Sequence, residues 1–139
     1  MVSLVDAREA IYERFRVQWG ATSPYTFDNE TYEPPANAAW VRVAVRHNAS
    51  RLEAVGGMGY GGLNKFMRSG RVFIQVFTPV NKGTREADTL AQTARAIFEG
   101  ITISSNAIRF NNAVVREIGP DGSWYQINVE CAFDYDERK

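Results

Sequence analysis

The sequence predicts an α+β fold, with two helices packed on one face of a four- to five-stranded, mainly antiparallel sheet and a long glycine-rich β-arm. Three observations carry this expectation. Apolar residues recur at helical spacing in two segments, strict alternation marks three others, and five glycines crowd into residues 56–62 between two of the alternating runs. The 139 residues fit a single domain over 1–139, a length able to bury roughly two thirds of its unfolded surface without disulfide or metal.

Ser3 followed by Asp6 resembles a capping box with Asp for the usual Glu, so a helix is expected to start there. Leu4, Ala7, Ile11, Phe15 and Trp19 form its apolar stripe, and Gly20 ends it. Pro24, Asn29, Pro34, Pro35 and Asn37 then make a breaker-rich connection with a short strand at Tyr25 to Phe27.

From Trp40 to Arg46, Val41, Val43 and Val45 share one face while Trp40, Arg42, Ala44 and Arg46 share the other, which reads as a half-buried strand. A second strand is expected from Arg68 to Thr78, with Val72, Ile74 and Val76 inward and Arg71, Phe73, Gln75 and Phe77 outward. The intervening stretch, about 47–67, is too permissive for a core and too long for a tight turn, and is expected to project. At about 3.3 Å per residue, His47 to Val55 alone spans on the order of 30 Å, enough to reach a neighbouring subunit.

Thr84 is placed to cap a second helix with Ala87, Leu90, Ala91, Ala94, Ile97 and Phe98 on its apolar side and Gly100 as its stop. After a loop at Ile101 to Asn112, strands are expected at Ala113 to Ile118 and Trp124 to Asp134. Gly119-Pro120-Asp121-Gly122 would be their turn. Tyr125, Ile127, Val129, Cys131, Phe133 and Tyr135 line one face of the last strand, and the charged end Asp136 to Lys139 follows.

Composition narrows the function. Sixteen basic against sixteen acidic side chains argue against a general nucleic-acid coat or a polybasic membrane anchor. No segment is long and apolar enough for a membrane span, and the N-terminal residues do not read as a signal peptide. A lone cysteine, Cys131, cannot bridge within the chain, is compatible with a reducing compartment, and sits in phase with buried neighbours.

Chemistry finds little support. His47 is the only histidine, so a metal site or a Ser-His-Asp system has one residue to build on. No metal and no cofactor is expected. Gly57, Gly59 and Gly62 match the G-x-G-x-x-G spacing, but they lead into a strand and not a helix, against a pyrophosphate cradle. A small anion- or nucleotide-binding module using this loop with Lys65, Arg68 and Arg71 stays as an alternative, as does a nucleic-acid-binding accessory protein.

Arg42, Arg46, Arg51, Lys65, Arg68 and Arg71 gather six cations around the arm, with Glu53 the one acid between residues 40 and 71. They read either as a solvated, edge-protecting strand face or as a surface for an acidic partner or DNA. The C-terminal acids Asp121, Glu130, Asp134, Asp136 and Glu137 lean the other way, an asymmetry suited to head-to-tail contacts between copies. Met58, Tyr60 and Phe66 beside the glycines suggest docking against a protein, or packing back on the body. Trp40, Phe73 and Phe77 lie on the non-valine faces and need cover from the long loops or a second subunit.

Taken together, the short N-terminal helix, Trp40-Val41-Arg42-Val43, the Gly-Gly of the arm, Arg68-Ser69-Gly70-Arg71-Val72-Phe73-Ile74-Gln75-Val76, Thr78-Pro79 before Gly83, and Ala87, Leu90, Ala91 and Phe98-Glu99-Gly100 resemble the tail terminator proteins of long-tailed phages and phage-like gene transfer agents. The resemblance implies a non-enzymatic virion protein, assembled in the host cytoplasm, that forms a homohexameric ring at the head-proximal end of the tail. It further implies that the ring caps the tail tube protein and offers a surface to a head-completion or neck protein, with an edge strand or arm of each subunit reaching its neighbour. Transient contact with DNA in the lumen follows from the same reading, whereas a head-completion or neck protein is its nearest alternative. The resemblance supplies no catalytic residues. On this reading Gly56, Gly57, Met58, Tyr60, Lys65, Phe66, Arg68 and Arg71, with Arg42, Arg46 and Arg51, are the expected subunit or tube contacts.

Overall fold

A computed structural model describes residues 2–56, 63–103 and 107–139. In chain order the elements are α1 (Leu4–Trp19), β1 (Tyr25–Phe27), β2 (Trp40–Ala54), β3 (Lys65–Pro79), α2 (Arg85–Phe98), β4 (Thr102–Ile103), β5 (Ile108–Asp121) and β6 (Trp124–Arg138). The strands form one six-stranded sheet in the order β1-β2-β3-β6-β5-β4, parallel between β1 and β2 and antiparallel elsewhere. The α+β class therefore stands, while the strand number is six and one pair is parallel. The extra strand, Thr102–Ile103, pairs only Arg109 and Ile108 and lies within the stretch expected to be a loop, too short to alternate visibly.

Helix α1 starts as its sequence dictates. Ser3 Oγ accepts from the Asp6 N–H at 3.1 Å, and the Ser3 N–H donates to Asp6 Oδ2 at 3.2 Å, completing the capping box. Ala7, Ile11, Phe15 and Trp19 are buried as expected, but Leu4 is about half exposed and Val2 takes a buried place instead. Thr84 stands at the N-cap position of α2 without a side-chain cap bond, and the carboxylates of Glu86 and Asp88 oppose the positive end of that helix.

One apolar cluster joins both helices to a single face of the sheet, through Val41, Val43, Val45, Val72, Ile74, Val76, Ile127, Val129 and Phe133. Arg14 ties the helices together by donating from Nε to the Ile97 carbonyl at 2.7 Å. On the opposite face the connection between β1 and β2 covers Trp40, while Phe73 and Phe77 stay half-buried. Tyr32 packs on Trp40 with centroids 5.3 Å apart, Phe77 stacks on Trp40 at 4.3 Å, and Trp124 meets it edge-on at 6.0 Å. A second subunit is thus not required to bury Trp40, which is 4% exposed.

The hairpin turn falls later than Gly119-Pro120-Asp121-Gly122 suggests. Pro120 pairs with Tyr125 and Asp121 with Trp124, so Gly122 and Ser123 make the turn, Gly122 at φ 61° where glycine has no Cβ to clash.

Candidate assembly surface

The region expected to be a projecting loop is largely regular strand. Strand β2 runs on past Arg46 to Ala54 and β3 begins at Lys65, with Leu52 opposite Phe66 and Ala54 opposite Lys65. Strand β6 continues to Arg138, so Lys65 also pairs with Arg138 on its other side. Asn64 and Lys139 exchange backbone hydrogen bonds of 3.1 Å each, and the Gly56 N–H donates to Asn64 Oδ1 at 2.8 Å. The arm is therefore three strands wide. Beyond Val45 the residues of β2 are exposed, apart from half-buried His47, and the sheet extends past its helix layer.

Two irregularities shape the arm. Register shifts between His47 and Ala49 and between Leu52 and Ala54 each insert one extra residue into β2, which bends and twists the strand. At the base, Gly70 faces His47 on β2 and Phe133 on β6. Sequence reading passed over Gly70, although a lone glycine inside an alternating strand is the usual sign of a close backbone approach.

Across the arm, cations and carboxylates pair strand to strand. Arg68 Nε contacts Glu137 Oε1 at 3.0 Å and its guanidinium also bonds Ser50 Oγ, while Lys65 lies 3.1 Å from Glu53 and 3.6 Å from Asp136. Arg71 lies 3.6 Å from Glu130, which Arg116 approaches from the other side at 2.7 Å. Arg109 meets Asp134 at 2.5 Å, Arg51 meets Glu53 at 2.8 Å, and Arg46 pairs with Asp28. The sequence-level charge asymmetry is largely neutralised inside one chain, because β6 brings its acids alongside the bases of β3. Arg42 lies over the Trp40 ring, 5.2 Å from its centroid.

These pairs set the titration of the exposed rim. Hydrogen bonds from Arg51 and Lys65 hold the Glu53 carboxyl below its ordinary value, and Glu53 in turn raises Lys65. Arg46 likewise holds Asp28 down by its hydrogen bond, and Asp28 raises Arg46. Two cations lie over the Phe66 ring, Arg68 at 4.7 Å and Lys139 at 5.9 Å from its centroid.

Of the expected contact residues, Arg46, Arg51, Gly56, Lys65, Phe66, Arg68 and Arg71 lie along the arm or its base, and Arg42 sits lower on β2 beside β1. Gly57, Met58 and Tyr60 fall outside the described residues, as do Gly59 and Gly62 of the glycine motif. That motif is bracketed by antiparallel strands.

His47 is not at a strand end but within β2, where Nε2 lies 2.8 Å from the Tyr135 hydroxyl and the ring packs edge-on against Phe133. Burial, with the nearby charges of Arg8 and Arg68, pushes its pKa down. Cys131 is buried, donates weakly to the Asn111 carbonyl at 3.5 Å, and has its thiol pushed up to about 11 by burial. Among the described residues no three His, Cys, Asp or Glu side chains converge as metal ligands, and no helix is long and apolar enough to cross a membrane.

A family model described as Phage tail terminator protein matches the sequence over residues 6–133. The chain belongs to the phage tail terminator family. Membership makes it a structural component of a phage tail, associated with other tail components. A solved structure superposes with a TM-score of 0.65, covering 91% of this chain and 94% of that one at 17% identity, a likeness of fold. No curated protein matches the sequence. The matched span takes in most of α1, all of β2 and β3, and β6 as far as Phe133, while the last residues of β6, which pair with the start of β3, lie beyond it.

Proposed function

We propose that this terminator assembles as a homohexameric ring at the head-proximal end of the tail of a phage or gene-transfer-agent particle. There it ends the tail tube and offers its other side to the neck or head-completion protein, after assembly in the host cytoplasm. The observation that carries this reading is the three-stranded arm, which extends beyond the helix-covered body and leaves strand backbone exposed. An arm of that kind has no role in burying the chain's own core, whereas in a closed ring it meets a neighbour.

Gly56, Gly57, Met58, Tyr60, Lys65, Phe66, Arg68 and Arg71, together with Arg42, Arg46 and Arg51, are the proposed subunit or tube contacts. Internal pairing of Lys65, Arg68 and Arg71 with carboxylates supports protein contacts more than strong DNA binding. DNA passing through the lumen would then meet a nearly neutral wall and slide.

Native mass spectrometry and light scattering of the purified chain, with and without tail tubes, test the proposal. Hexamers alone, or hexamers induced by tubes, are expected. A monomer indifferent to tubes overturns the ring, and another ring number that binds only neck protein transfers the chain to head completion.

A further inference from the structure

The sheet ends in two strands whose outer backbone is open. On β5 the outer side is bonded near its start: the Phe110 N–H donates to the Ile101 carbonyl at 2.8 Å, the Gly100 N–H to the Asn111 carbonyl at 3.1 Å, and the Ala113 N–H to Glu99 Oε2 at 2.8 Å. Past Ala113 no described residue pairs with that side. Alternation from Ala113 turns the N–H and C=O groups of Val115 and Glu117 outward. Register shifts at Phe110/Ala113 and Glu117/Gly119 bracket this run without interrupting it, and Pro120, lacking an N–H, closes it.

Small sheets ordinarily blunt such an edge with charge, and here Arg116 and Glu117 share it with exposed apolar side chains. Val114, Val115 and Ile118 are 36%, 37% and 52% exposed. At the far end of the sheet, β1 covers β2 only from Val41 to Val43, so the outer side of β2 from Arg46 to Ala54 has no backbone partner among the described residues. The acids Glu117 and Asp121 on β5 form no ion pair among the described residues, while Arg46 and Arg51 on β2 pair within the chain with Asp28 and Glu53 and keep their side chains 57% and 67% exposed. Both open edges offer unpaired backbone, and joining the β5 edge of one copy to the β2 edge of the next is a head-to-tail contact of the kind that closed rings use, whereas β5 against β5 gives a two-fold pair.

We propose that β5 from Ala113 to Glu117 is a strand-addition edge that receives the distal half of β2, Arg46 to Ala54, from the next copy of this chain. The inference rests on the ring reading above and names the surface that makes the ring. Each junction then continues the sheet from one subunit into the next, with Val114, Val115 and Ile118 covered and Glu117 set near the arginines of the incoming strand.

Val115→Pro removes an outward N–H that makes no bond within the chain, on an edge where proline is tolerated. The variant is expected to melt as a folded monomer and to need at least about tenfold more protein for half-assembly, alone or on tail tubes. Normal hexamers from folded Val115→Pro would overturn the edge assignment and leave the ring reading intact. Wild-type protein that stays monomeric with tubes would overturn both.

A second arm of the test does not depend on that variant folding. In a Cys131→Ala background, protein carrying Val115→Cys is mixed with protein carrying one cysteine in place of Ser50, Arg51 or Leu52, and oxidised. A disulfide needs α-carbons within about 7 Å, so one of the three registers is expected to give a mixed dimer. Val115→Cys homodimers would instead mean two-fold pairing of β5 with itself, and hexamers without any mixed dimer would remove β2 as the partner. Either result overturns the proposal.

Discussion

Gly70 on β3 lies so close to β2 that a Cβ built on it would stand 2.2 Å from the backbone carbonyl oxygen of Arg46 and 2.8 Å from Cζ of Phe133. The carbonyl cannot swing away without breaking the ladder that defines the arm base. Gly70→Ala is expected to destabilise the fold by about 3 kcal/mol, read as a lowered denaturant midpoint. A variant within about 0.5 kcal/mol of wild type would show that β2 and β3 separate freely at this point.

His47 gives the protein a defined acid response. Its folded pKa is pushed below the ordinary value by burial and then by Arg8 and Arg68, so the unfolded chain binds the proton first. Stability is therefore complete above about pH 6.5 and falls as pH drops below it, until the folded imidazole itself protonates. The melting temperature is expected to decline as pH falls below about 6.5, and His47→Gln to flatten that decline. Because His47 is the only histidine, its ring proton signals can be followed directly, and titration at or above the ordinary value would refute the expectation.

Glu130 bridges Arg71 and Arg116 with its side chain 12% exposed. Removing it leaves two guanidinium groups, on the β3 and β5 strands that flank β6, with no carboxylate between them. Glu130→Ala is expected to cost about 1 to 2 kcal/mol, more than an exposed ion pair contributes, and added salt should recover part of the loss. An unchanged unfolding midpoint would mean that solvent already satisfies both arginines.

Cys131 is expected to stay inert in the folded chain. With its thiol pushed up to about 11, little thiolate exists near neutral pH, and burial bars the reagent. A disulfide-exchange reagent should modify it at the rate of unfolding, and rapid stoichiometric modification of native protein would contradict the burial.

Much of the fold was legible because periodicity reports burial directly. The valine faces of β2 and β3, the inward run from Ile127 to Tyr135, and the stripes of both helices all follow from which side chains avoid water. The same signal ran out where no face is buried. Beyond Arg46 the side chains of β2 meet solvent, alternation fades, and the segment reads as a loop although its backbone is paired to Ala54. The last residues of β6 look like a charged tail, yet Asp136 and Glu137 make diagonal ion pairs with Lys65 and Arg68 of the adjacent β3.

What the sequence by itself determined was the alternation of helix and strand, the inward faces, the inertness expected of Cys131 and, through its motifs, the resemblance to tail terminators. Only the tertiary structure decided that the arm is three strands wide, that the basic residues are neutralised within the chain, that Tyr32 reaches over Trp40, and that β5 and β2 are left open. The physical reason is separation along the chain. Local spacing fixes which way a side chain points, but pairing between Arg68 and Glu137, 69 residues apart, exists only once the sheet order sets β6 beside β3.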